Sequence, residues 1–155
     1  MKLTDYLTAD NIKIGIEKNS KKEIIKDLLG VAVSVSPDLD TEEALKGLLK
    51  RENVGSTGIG NGVAIPHSGI KNCSKILPVI AISGDGLDYD SLDGEPVHIF
   101  FLILYPEEQI SMQLKFLARV SRLLRIKDLR QSLLHSSTPN EAISVLRKYE
   151  SEHFT

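Results

Sequence analysis

The sequence contains no tryptophan and a single cysteine, Cys73, and only 5% of its residues are aromatic. One thiol cannot form an internal disulfide, and one cysteine cannot complete a zinc set. Long apolar runs are missing too. The longest, Val97 to Leu104, is broken by His98 and falls far short of the ~20 residues needed to cross a bilayer. Near the start, Lys2 is followed by Thr4, Asp5 and Asp10, which interrupt any apolar signal core. Excess charge of either sign is also absent. A formal net charge of -2 gives nucleic acid or an anionic membrane no electrostatic reason to bind. The expectation is a cytoplasmic protein with no direct membrane insertion and no nucleic-acid partner.

What is present suits an ordinary globular chain: 155 residues, 41% hydrophobic and 26% charged, enough for one domain spanning residues 1–155 with a substantial core. Leu3 to Leu7 suggests a helical turn, and Ile12, Ile14 and Ile16 alternate as in a half-buried strand. Ser20 and Glu23 form a capping box ahead of the helical face Ile24, Ile25, Leu28, Leu29 and Ala32, which should end before Pro37. Asp40 caps a second helix through Ala44, Leu45, Leu48 and Leu49 that ends at Arg51. Ile76 to Ile82 reads as a buried strand, with Pro78 marking an edge or an irregular start. Gly84 to Pro96 reads as an acidic turn region, and Val97 to Leu104 as a central strand. Leu114, Leu117, Val120 and Leu124 mark a long helix from about Ile110 to Arg125, continued over Asp128 to Leu134. Thr138-Pro139-Asn140-Glu141 opens a last helix that runs to about Glu150. Strands and helices alternate without repeats, so the fold class is α/β, with helices covering a mixed sheet.

The distinctive stretch is Arg51 to Ser68, R-E-N-V-G-S-T-G-I-G-N-G-V-A-I-P-H-S, which holds Gly55, Gly58, Gly60 and Gly62 ahead of Pro66 and His67. Clustered glycines let the backbone approach a ligand closely, and successive amides can form a nest for an anion. Ser56, Thr57 and Ser68 offer hydroxyl donors, and Arg51 offers a forked guanidinium suited to phosphate oxygens. A histidine beside such a loop fits a nucleophile that takes up a phosphoryl group. Glycine-rich turns are nevertheless common, and a lone histidine is usually solvated or packed. The nucleotide loops do not fit. Gly60 is followed by Asn61 and Gly62 by Val63 where a P-loop needs Lys-Ser/Thr, and G-x-G-x-x-G fails because Ile65 stands where the third glycine belongs.

The remaining candidates are weaker. His98 sits one residue into the strongest strand and reads as a packed or edge residue, His135 lies at a helix end, and His153 lies in a frayed tail. The four histidines lack metal spacing such as H-x-x-x-H. The acidic run Asp85, Asp88, Asp90, Asp93 and Glu95 fails as an EF-hand, since counting from Asp88 puts Leu92 fifth and Asp93 at the glycine position. Cys73, with only Lys71 and Lys75 as basic neighbours, reads as an inert or mildly reactive thiol. There is no nucleophile elbow, so hydrolase chemistry has little support. No metal and no dissociable cofactor is expected.

The run G-S-T-G-I-G-N-G-V-A-I-P-H, Gly55 to His67, resembles the active-site signature of the enzyme IIA domains of the bacterial phosphoenolpyruvate-dependent phosphotransferase system, in the fructose/mannitol/nitrogen-regulatory class. Leu3–Ile12, Leu87–His98 and Leu114–Leu124 are similar to the same class, so the resemblance spans nearly the whole chain. It implies a small mixed sheet flanked by helices on both faces. It also implies that His67 accepts a phosphoryl group from the histidine-containing phosphocarrier protein, with Arg51 and the loop amides stabilising it. Many members carry a second histidine where this chain has Gln113, which can donate a hydrogen bond but carries no positive charge. The Gly60-Asn61-Gly62 form of the loop, in a chain with no fused IIB or membrane domain, looks like the nitrogen-regulatory type, whose phosphorylation state regulates target proteins. A sugar-specific IIA passing phosphate to a separate IIB cysteine stays open, as does a non-catalytic module in which the loop only binds a phosphate-bearing ligand or partner. Docking of protein on protein calls for an exposed apolar rim, for which Val54, Ile59 and Ile70 are the candidates.

Overall fold

The computed structural model describes residues 1–154. After two short 3-10 turns, Leu3–Tyr6 and Ala9–Asn11, the elements run β1 (Ile12–Ile14), α1 (Lys21–Val35), α2 (Thr41–Val54), β2 (Gly58–Gly60), β3 (Val63–Ala64) and β4 (His67–Ile70). They continue with β5 (Leu77–Leu87), β6 (Val97–Pro106), α3 (Ile110–Leu124), α4 (Lys127–Leu134) and α5 (Pro139–His153). The strands form one mixed sheet in the order β1-β5-β6-β3-β2, and β4 pairs β6 as well. Helices cover both faces, so the α/β expectation holds.

The two layers follow from the apolar pattern. Strands β5 and β6 read as continuous hydrophobic runs because they are buried on both sides. Ile80, Ile82, Ile99, Phe101 and Ile103 face one core with Phe116, Val120, Leu129 and Leu146 from α3, α4 and α5. Val79, Ala81, Phe100, Leu102 and Leu104 face the other with Ile24, Leu28, Ala44 and Leu48 from α1 and α2. The helix starts are those the sequence marks. Ser20, Asp40 and Thr138 each accept a hydrogen bond from the amide three residues on, which satisfies a donor the helix leaves open. The capping boxes are only half made: Glu141 reaches the Ser137 amide instead of returning to Thr138.

Several strand details differ from the alternation pattern. Ile12 and Ile14 pack on one core while Ile16 is buried in the other. Gly15 lies between them at φ 88, and both its amide and that of Ile16 donate to the Ile82 carbonyl. That bulge reverses the parity of the strand, a role only glycine fills cheaply. Strand β5 runs on to Leu87, so Gly84 to Gly86 belong to an antiparallel ribbon rather than to the expected turn. Its register with β6 shifts between Ile82 and Leu87. Pro78 precedes the β1 pairing, which starts at Ile80, so its missing N–H leaves no ladder bond to β1 unmade. Its carbonyl accepts from the Asn11 side chain at 2.8 Å. His153, expected in a frayed tail, is the last residue of α5 and stacks on Tyr149.

Candidate functional site

The glycine stretch folds mostly as strand. Gly58–Gly60 and Val63–Ala64 form an antiparallel hairpin closed by Asn61 and Gly62, at φ 58 and 75. Asn-Gly with positive φ at both positions is the two-residue hairpin turn whose twist matches the strands. The Asn61 amide donates to Asp93 Oδ2 at 3.1 Å, which ties the turn to the acidic loop. Strand β3 runs parallel to β6 at Ile99 and Phe100, and β4 runs parallel to it again from Ile103 to Pro106. The two short strands are therefore successive stretches along one edge of β6, interrupted at Ile65 and Pro66. The break brings the His67 ring back onto its own backbone. Nδ1 lies 2.8 Å from the Ile65 carbonyl.

A carbonyl can only accept, so Nδ1 carries the proton in the neutral ring and Nε2 keeps its lone pair. The ring is half-buried. Burial pushes its pKa below the ordinary value, the Ile65 hydrogen bond partly opposes this, Arg51 lowers it further, and Glu52 raises it. The net direction is down. The site therefore holds a neutral imidazole with one free nitrogen at neutral pH.

Arg51, in the last turn of α2, donates from Nη1 to the Gly55 carbonyl at 2.8 Å. No other hydrogen bond engages the guanidinium among the described residues, so its remaining donors are open to an anion. Three of the loop amides are not. Gly55 donates to the Glu52 carbonyl, Thr57 to Glu52 Oε1, and Gly58 to the Ser56 hydroxyl. These three amides of the expected nest are held by internal bonds, and Gly60 sits in the hairpin with Asp93 packed against it. The hydroxyls are taken as well. Ser56 donates to the Tyr89 carbonyl, and Thr57, buried, donates to Glu52 Oε2. Ser68 follows His67 in a strand, so it points to the opposite face. There it is buried against α2, with Oγ donating to the Gly69 carbonyl and crowding Gly47.

Gln113 continues the buried stripe Phe116, Val120, Leu123 and Leu124 one turn towards the N-terminus of α3. His67 is in register with Ile103, which belongs to the core that α3 covers, so Gln113 and His67 lie on the same side of the sheet. No hydrogen bond joins them. Of the proposed apolar rim, Val54 and Ile59 are exposed, whereas Ile70 is 4% exposed and packs into the α1–α2 core, so it drops out. Leu92 takes its place: its amide donates to the Gly58 carbonyl, and its side chain is exposed beside the hairpin. His98 is held by the Ser83 carbonyl at 3.0 Å, and His135 by that of Gln131 at 2.7 Å. The Cys73 thiol donates to the Lys75 carbonyl, and burial raises its pKa.

The sequence model of the family described as phosphoenolpyruvate-dependent sugar phosphotransferase system, EIIA 2, matches residues 5–149. The chain belongs to that family. Its relatives include a nitrogen regulatory protein of Bradyrhizobium diazoefficiens, 36% identical over 94% of this chain and 95% of that protein. The fructose-specific EIIABC component of Bacillus subtilis is 37% identical over 97% of this chain, which spans only 24% of that larger protein. The crystal structure of the nitrogen regulatory protein IIA-Ntr from Neisseria meningitidis has a TM-score of 0.86 and 28% identity, covering 93% of this chain and 98% of that one. The fold described above is thus an enzyme IIA fold. Glu52, Lys21 and Tyr89 escaped the sequence reading of this enzyme IIA chain, since each looks like a solvated charge or a core aromatic until the fold brings them together. No helix among the described residues is long and apolar enough to cross a membrane.

Proposed function

We propose that this enzyme IIA is a phosphorelay protein whose His67 takes a phosphoryl group from the histidine-containing phosphocarrier protein. The observation that carries the reading is the ring orientation: Nδ1 bound to the Ile65 carbonyl, Nε2 free, and a proton affinity lowered mainly by burial. Nε2 attacks the phosphorus in line as the bond to the donor's nitrogen breaks, giving a phosphohistidine here and a neutral donor imidazole. Such transfer depends on positioning and on neutralising charge on the equatorial oxygens. The open donors of Arg51 supply that charge, and Gln113 supplies a neutral donor from the helix that covers the same face. No cofactor takes part. The exposed side chains of Val54, Ile59 and Leu92 form an apolar rim of the kind that transient carriers use for small interfaces.

Within the family, the nitrogen-regulatory role, in which the phosphorylation state acts on target proteins in the cytoplasm, is favoured by the relative matched almost end to end. Transfer to a separate IIB in sugar uptake is the second reading, favoured by the fructose-specific relative. The deciding experiment is intact-protein mass after incubation with enzyme I, the phosphocarrier protein and phosphoenolpyruvate, beside His67→Ala. The expected result is one acid-labile phosphate-sized gain that the variant lacks. An unmodified wild type in the presence of a charged donor would leave the site as a binding module.

A further inference from the structure

Beneath the site lies a polar cluster inside the α1–α2 layer. Glu52, 7% exposed, accepts from the Thr57 amide at 3.1 Å and from the Thr57 hydroxyl, and pairs with the Lys21 ammonium at 3.1 Å. Tyr89 is fully buried, 3.4 Å from the Thr57 hydroxyl, and Lys21 lies over its ring at 4.8 Å. Four segments thus converge on one carboxylate: the start of α1, the end of α2, the loop before β2, and the loop between β5 and β6. A buried carboxylate is costly unless fully partnered, and here every oxygen has a donor.

We infer that Glu52 is a positioning residue for phosphoryl transfer: by clamping Thr57 it fixes the Gly55 carbonyl on which the Arg51 guanidinium rests. This rests on the phosphorelay reading. Arg51 and Glu52 are adjacent on α2 but differ in task. Arg51 faces the incoming anion, and Glu52 holds the turn that aims it. The carboxylate also acts through space on His67, opposing the effect of Arg51, and Lys21 partly neutralises it. The charged and titratable groups facing this cluster are Lys21, Arg51, Tyr89 and His67, and their signs make two variants diverge. Glu52→Gln removes the negative charge and should move the His67 titration to lower pH. Lys21→Met unmasks that charge and should move it to higher pH.

The test follows the His67 ring nitrogens by NMR across pH and measures phosphoryl uptake by intact mass, both on the whole chain. Glu150→Gln is the matched control, since it removes a comparably buried, ion-paired carboxylate from the opposite helix layer. Expected are opposite titration shifts in Glu52→Gln and Lys21→Met, and uptake slowed roughly tenfold to a hundredfold in Glu52→Gln, the scale of a misplaced catalytic group. The control should keep both wild-type values. Equal behaviour of Glu52→Gln and Glu150→Gln, or shifts of the same sign in the two cluster variants, would overturn the inference. Because the titration needs no donor, a wild type that takes no phosphate would sink the relay reading by a separate result.

Discussion

The ring of His67 and the carbonyl of Ile65, two residues apart in the chain, are joined by a 2.8 Å hydrogen bond that fixes which nitrogen is free. Ile65 and Pro66 form the break between two short strands that run on in the same direction along the edge of β6. The hydrogen bond predicts that neutral His67 is the Nδ1–H tautomer and that the phosphohistidine carries its phosphorus on Nε2. Long-range proton–nitrogen correlation spectra report both. A ring protonated at Nε2 in the neutral state would contradict the assignment.

The same ring makes stability depend on pH in a definite direction. Burial is the main cause of its lowered pKa, with Arg51 adding to it and the Ile65 bond and Glu52 opposing. Between the folded and unfolded pKa values the unfolded chain binds more protons. Stability therefore falls as pH drops from the unfolded value of about 6.5 through the folded one. His67→Gln should remove this slope, so the difference in melting temperature between wild type and variant should change between pH 7.5 and 5. The depressed pKa also keeps Nε2 unprotonated below pH 6.5, so phosphoryl uptake should persist into mild acid. A pH-independent difference between the two proteins would refute the proton linkage.

Much of this was legible in the sequence, and the rest was hidden for specific physical reasons. Helix starts were readable at Ser20, Asp40 and Thr138 because capping is local. The doubly buried run in β6 was readable because both faces need apolar residues. The parity reversal at Gly15 was not, since it appears only once both flanking amides meet the same Ile82 carbonyl. The glycine stretch looked like an anion loop because its composition suits one. Asn61-Gly62 was in fact the stronger signal, that of a hairpin turn. Ile70 looked like rim because its burial depends on β4 alternation against α2. His67 and Arg51 were visible as chemistry, whereas the partners of Glu52 come from elements far apart in sequence.

Gln113 stands on the α3 stripe that faces the sheet side bearing His67, so a cation introduced there should interact with a phosphoryl group on that side. Gln113→His replaces a neutral donor with one that can be charged. A hydrogen bond from a charged group is worth about 1 kcal/mol more than a neutral one. If realised in the transition state, that gain corresponds to roughly fivefold faster uptake. Rapid-quench measurement with a charged phosphocarrier protein is the check. Unchanged uptake and unchanged hydrolysis of the phosphohistidine would place Gln113 outside the reaction.

In the layer formed by α3 and α5, Glu150 ties three elements together. Its carboxylate accepts from Arg119 Nε at 2.8 Å, from the Leu3 and Thr4 amides, and from the Thr4 hydroxyl. Burial alone would raise its pKa, but Arg119 and these donors together outweigh it and hold the carboxyl below its usual range. A depressed carboxylate contributes stability that is present above the unfolded pKa and lost as pH falls through the folded one. Glu150→Gln leaves the half-buried Arg119 without its counter-charge, and breaking a pair whose carboxylate is buried costs on the order of 3 kcal/mol. For a chain of this size that lowers the melting temperature by about 6–12 °C at neutral pH. The deficit should narrow below about pH 4.5, where the carboxyl of the unfolded chain takes up its proton ahead of the folded one, and it should be lost as pH falls through the depressed folded value. Thermal melts from pH 7 to 3 test both parts, and a deficit that stayed constant down to pH 3 would show that the carboxylate's charge is not what holds the N-terminal turn to α5.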